Sequence, residues 1–158
     1  MITYDARVSI ARPPHDVYTA MIDPDRYGEW TDMVDVRSDA GPTRVGSRGS
    51  FRMAGGPIKG DLQFEYVELE PDRRIVIRVD HPLLAWHSVS ELTLTDTGTD
   101  LRYAGEIRLR GFRRLLAPFL AGEVRAGEQA EAERLKVLLE GSQDAAAGID
   151  TETTEAYP

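Results

Sequence analysis

Along the first 109 residues apolar and polar side chains mostly alternate, and beyond Gly111 they recur at helical spacing. Alternation at period two marks strands with one buried and one wet face. It runs through residues 2–11, where Ile2, Tyr4, Val8 and Ile10 share a side, and more weakly through 32–38, around Val34 and Val36. It returns at 50–54 (Phe51, Met53), 61–70 (Leu62, Phe64, Tyr66) and 74–80 (Ile75, Ile77, Val79). The longest runs are 85–95 (Trp86, Ser88, Ser90, Leu92, Leu94) and 101–109 (Leu101, Tyr103, Gly105, Ile107, Leu109). Short turn signals separate them: Gly55-Gly56-Pro57, Pro71-Asp72, His81-Pro82 and Asp96-Thr97-Gly98. Strands joined by such turns form an antiparallel meander. Between the first two strands, Pro13-Pro14 and Asp23-Pro24 each open a short helix, the second closing on Trp30.

The stretch from Gly111 to Gly141 predicts one long helix, with Gly141 as its C-terminal stop. At about 1.5 Å per residue it would run roughly 40 Å, enough to cross a small sheet. Leu116, Leu120, Val124, Leu135 and Leu138 form its stripe, with Phe119 and Ala130 beside them. Arg113, Arg114, Arg125, Glu133, Arg134 and Lys136 take the opposite face. Pro118 either kinks the helix or ends a short lead-in turn. The stripe is interrupted at Gly127, Glu128 and Glu131. Either this part bends toward solvent, the ordinary situation for glutamate, or it lines a cavity where missing bulk leaves room for a ligand.

The helix is the only element long enough to cover the sheet. The fold class is therefore α+β: a curved antiparallel sheet of about six or seven strands wrapped around one C-terminal helix, with two short helices after the first strand. Residues 1–141 make one domain, and 142–158, acidic and rich in Ala and Thr, read as a disordered tail.

Composition narrows the chemistry. The chain has 158 residues and no cysteine, which removes disulfides, thiolate metal sites and cysteine nucleophiles. A net charge of −8 argues against nucleic acid and anionic membranes as partners. No basic segment followed by an apolar run opens the chain, and no apolar run is long enough to insert into a membrane, so a cytoplasmic setting is expected. Of the three histidines, His15 and His87 should face outward. With His81 they offer no converging third ligand, so no metal or other cofactor is expected. GxSxG, Walker A and GxGxxG patterns are absent.

Specific residues resemble the START-like helix-grip (SRPBCC) superfamily, in particular its bacterial polyketide cyclase/dehydrase and lipid-transport family. Val8 through Tyr18 looks like that family's opening strand and proline-led helix, and Asp23-Pro24 through Trp30 like its second helix. Glu70 through Ile75, Gly98 through Leu101 and Leu135 through Glu140 are similar to its later turns and helix end. The resemblance spans residues 1–141 and implies a cavity between sheet and helix. Strand parity then nominates a lining of Phe51, Met53, Phe64, Tyr66, Trp86, Ser88, Ser90 and Tyr103, with Phe119, Leu120 and Val124 from the helix and Trp30 near the mouth. Phe51, Leu92, Leu94 and Leu101 are more simply core, whereas Ser88, Ser90 and Gly105 suggest unfilled volume. Such a cavity suits a bulky, mostly hydrophobic ligand, polyketide-like or lipid-like. The alternatives are a metal-free cyclase, aromatase or dehydratase using Tyr66, Tyr103 or a helix glutamate such as Glu131, or a protein-interaction module such as a chaperone cofactor.

Overall fold

The computed structural model describes residues 1–56 and 58–149, with side chains through Ser142. Seven strands run β1 (Ile2–Ile10), β2 (Met33–Ser38), β3 (Arg48–Met53), β4 (Leu62–Glu70), β5 (Arg74–His81), β6 (Leu84–Thr95) and β7 (Gly98–Leu109). They form one antiparallel sheet in the order β1-β7-β6-β5-β4-β3-β2, so the first strand closes the meander beside the last. Two short helices, α1 (Pro14–Met21) and α2 (Tyr27–Trp30), follow β1, and a 3-10 turn (Gly111–Leu116) leads into α3 (Ala117–Ile149). This is the expected α+β helix-grip: a curled sheet holding one long helix.

The core lies between the inner sheet face and α3. Leu135, Ala132 and Leu139 of the helix meet Ile10, Val17, Tyr27, Trp30 and Leu101 in one apolar cluster. On the wet face, Arg102 bridges Asp5 and Glu91, Arg74 bridges Glu68 and Glu91, and Arg78 meets Glu65 across strands.

Polar side chains set the helix's rotation about its axis. β1 is an edge strand, and α3 satisfies its free backbone groups turn by turn. Arg125 Nε donates to the Thr3 carbonyl (3.0 Å), and the Gln129 amide donates to the Arg7 carbonyl (3.1 Å) and accepts from its N–H (3.3 Å). Lys136 Nζ donates to the Ser9 carbonyl (2.7 Å), and Glu140 accepts from the Ala11 N–H (2.9 Å). These four residues follow one helical stripe, and together they cover an edge that would otherwise be open to pairing. With that stripe on β1, Glu128 and Glu131 turn toward the sheet.

One expectation about the helix needs correction, and one pair of alternatives is decided. Gly141 does not end it: the helix continues to Ile149, and Gly141 lacks the positive φ of a glycine cap. Residues 145–147 are alanines, the strongest helix formers, and they extend it. The assigned tail thus begins as helix, and residues 150–158 lie outside the described residues. Pro118 marks the lead-in rather than a kink. It sits in the first turn of α3, where its missing N–H has no helical partner to lose.

Candidate functional site

Between the sheet and the N-terminal half of α3 lies a cavity of about 560 Å³. Its sheet wall is Ile2, Leu62, Leu84, Trp86, Ile107 and Leu109, its helix wall Leu120, Val124 and Gly127. Met53 at the end of β3 borders it, with Ala54 through Gly56 and Ile58 from the connection between β3 and β4. Exposed Gly55, Gly56 and Glu123 place the mouth between that connection and the start of α3. Gly127 leaves room, since a Cβ added there would meet nothing within 4 Å.

The solvent-facing alternative for the glutamates is overturned. Glu128 and Glu131 line the cavity at only 8% and 4% exposure. Glu131 Oε1 accepts from the Asp32 N–H at 3.0 Å and lies 3.9 Å from Arg134. Oε2 of Glu131 and Oε2 of Glu128 are buried with no hydrogen-bond partner among the described residues. Burial pushes the Glu128 carboxyl well above the usual carboxylate range, and the neighbouring Glu131 charge adds to the rise, against an opposing Tyr103 hydroxyl. Burial also raises Glu131, eased by the Asp32 N–H. Two carboxyls this close in an apolar wall hold a proton near neutral pH.

An aromatic cluster backs the pair. Tyr4 reaches across its neighbour Gly105 to accept a hydrogen bond from Trp86 Nε1 at 2.9 Å, and its ring meets Tyr103 edge-on at 5.6 Å. A Cβ on Gly105 would lie 2.5 Å from the Tyr4 hydroxyl, so the glycine provides a slot for that ring. The unfilled volume expected at Gly105 is therefore occupied. Burial, then the nearby Glu128 charge, keeps both tyrosines protonated by raising their pKa. Phe64 crosses Gly49 in the same way. Tyr27 donates to the Met21 carbonyl (2.9 Å), so in its contact with Tyr66 the Tyr66 hydroxyl is the donor.

The structure divides the nominated residues. Met53, Trp86, Leu120, Val124 and Glu131 border the cavity. Phe51, Phe64, Ser88 and Tyr103 surround a separate void of about 30 Å³, room for one water. Tyr66 and Ser90 are buried in the core off the cavity wall, Tyr66 against Tyr27, which removes it as a cavity-facing acid or base. Trp30 is buried with its carbonyl held by Arg134 at 2.9 Å, not placed at the mouth. Phe119 is 80% exposed, grouped with exposed Phe112, Leu115 and Leu116 around the lead-in turn. Leu94, expected in the core, is 72% exposed at the far end of β6. Ile58 lies outside the strand-parity lining, whereas Gly127 and Glu128 belong, with Glu131, to the cavity alternative for the interrupted stripe, and the structure decides for it.

A family model described as polyketide cyclase / dehydrase and lipid transport matches residues 1–140. No curated protein matches the sequence. Among solved structures, a Mesorhizobium loti protein is 24% identical, with a TM-score of 0.67 over 87% of this chain and 96% of its own. A Chromobacterium violaceum protein is 21% identical, with a TM-score of 0.68 over 89% and 99%. The di-domain ARO/CYC StfQ from the steffimycin biosynthetic pathway is 15% identical, with a TM-score of 0.72 over 90% of this chain and 52% of its own. At these identities the likeness is one of fold.

Proposed function

This chain belongs to the polyketide cyclase/dehydrase and lipid transport family, and we propose that it binds a bulky, mostly hydrophobic small molecule, polyketide-like or lipid-like, between sheet and α3. The observation that carries this is the cavity of about 560 Å³, walled by aliphatic side chains and Trp86 and holding only a few polar groups. That is the usual make-up of a small-molecule site. The apolar wall supplies affinity, and the Glu128–Glu131 pair orients the ligand. Native mass spectrometry of the purified protein, before and after uptake of hydrophobic candidates, tests it. A bound mass that denaturation releases supports the proposal; a protein that neither carries nor takes up any candidate opposes it.

The carboxyl pair favours one second reading, that of a metal-free cyclase, aromatase or dehydratase. In an intramolecular aldol closure, a carboxylate would take the proton of an acidic methylene. The resulting carbon would attack a ketone of the same chain, and the protonated carboxyl would deliver its proton to that ketone oxygen. Glu128→Gln and Glu131→Gln should then abolish turnover while retaining ligand uptake.

A further inference from the structure

The cavity's charged lining is all of one sign. Asp32, Glu123, Glu128 and Glu131 border it, and no Lys, Arg or His does among the described residues. The basic side chains of α3 are held outside the cavity lining. Arg134 donates to the Trp30 carbonyl and to Asp32 Oδ1 and comes no nearer than 3.9 Å to Glu131 Oε1, the oxygen that already accepts from the Asp32 N–H, and Arg125 and Lys136 hold carbonyls of β1. Glu128 and Glu131, each more than nine-tenths buried, present one oxygen apiece that no described donor satisfies.

We infer that the ligand carries a basic amine at its inner end: an apolar body along the aliphatic walls and a cationic head between Glu128 and Glu131. This rests on the ligand-binding reading above. An ammonium brings three donors and no acceptor, which answers two unsatisfied acceptor oxygens. A carboxylate or phosphate head brings acceptors and a like charge into a wall with no cation to receive it. An alcohol brings one donor and no charge. A buried carboxylate is retained when it is paired and hydrogen-bonded, and the amine provides both.

The charged and titratable groups around the two glutamates are Tyr4 from β1 and Tyr103 from β7, both behind the cavity wall, Asp32 from the segment after α2, and Arg134 and Glu123 from α3 itself. Burial keeps both tyrosines neutral across the neutral range, so the glutamates dominate the pH response. A primary amine remains protonated below about pH 10. Its affinity therefore rises as the carboxyls ionise.

Calorimetric titration with n-decylamine, 1-decanol and decanoate tests the inference at pH 6 and pH 8, on the wild type, Glu128→Gln and the Glu128→Gln/Glu131→Gln double variant, with folding checked by circular dichroism. Decylamine should bind at least tenfold more tightly than decanol at pH 8, by a smaller ratio at pH 6, and decanoate most weakly. The amine's advantage, taken as the ratio to decanol in the same variant, should shrink in the single variant and vanish in the double. An advantage that survives the double variant is general attraction to an acidic protein and overturns the inference. If decanol binds and decylamine gains nothing, or decanoate binds best, the inference falls and the ligand-binding reading stands. If none of the three binds, both fall.

Discussion

Replacing Gly127 with leucine should stabilise the protein and close its cavity at once. Gly127 sits in mid-helix with nothing within 4 Å of a built Cβ, and it lines the cavity. Relieving a helical glycine gains about 0.8 kcal/mol. Full burial of a leucine side chain is worth about 1.5–3 kcal/mol, and a cavity open at one side realises about half of that. Fixing the side chain costs about 0.5–1 kcal/mol. The net is a gain of about 0.5–2 kcal/mol, or a Tm rise of roughly 1–8 °C for a chain of this size. Calorimetric melting measures the stability, and titration with 1-decanol measures the binding, which should weaken at least tenfold. Gly122→Leu is the control: it is exposed, has no neighbour within 4 Å and lies off the cavity wall, so binding should be unchanged. A lower Tm for Gly127→Leu would mean that the space is already packed. Unchanged ligand affinity would mean that the ligand sits elsewhere.

The carboxyl pair gives stability a pH slope. Because the folded pKa values are raised, the native state holds protons that the unfolded chain has released. Stability should therefore fall as pH rises from the ordinary glutamate range through the raised values, by up to about 1.4 kcal/mol per pH unit per retained proton. Urea unfolding at pH 5 and pH 8 should show this fall in the wild type and a flatter line in the double Gln variant. Gly105→Ala should destabilise by about 1–3 kcal/mol in the same assay, because its methyl would press on the Tyr4 ring and the His87 carbonyl. Tyr27→Phe should cost about 1–3 kcal/mol by removing the donor to the Met21 carbonyl and the acceptor for Tyr66, while leaving 1-decanol affinity intact.

The strands were readable because every long one alternates and each turn carries glycine, proline or aspartate. The helix was readable from its length and its leucines. Its rotation was not, because an apolar stripe interrupted by Gly127, Glu128 and Glu131 is equally compatible with solvent or cavity. The deciding contacts are polar: Arg125, Gln129, Lys136 and Glu140 reach the backbone of β1, 122 or more residues away in sequence. Parity names a side chain's face but not its neighbours. Hence Gly105 reads as empty space where Tyr4 lies across it. Tyr66 shares the inner face of the sheet yet is sealed against Tyr27, and Leu94 shares its strand's face but remains exposed. Phe119 shows the same limit on the helix, whose first turns stand clear of the sheet.

The most direct test of the cavity uses its own tryptophan. The chain has two, and only Trp86 lines the cavity. A long-chain brominated alcohol quenches tryptophan emission on contact, so titrating it into the wild type and into Trp86→Phe separates the two rings. Saturable quenching at one molecule per chain is expected in the wild type, and a Trp30 signal that stays bright in the variant. Quenching that persists in Trp86→Phe, or none in either protein, would contradict a ligand site between the sheet and α3.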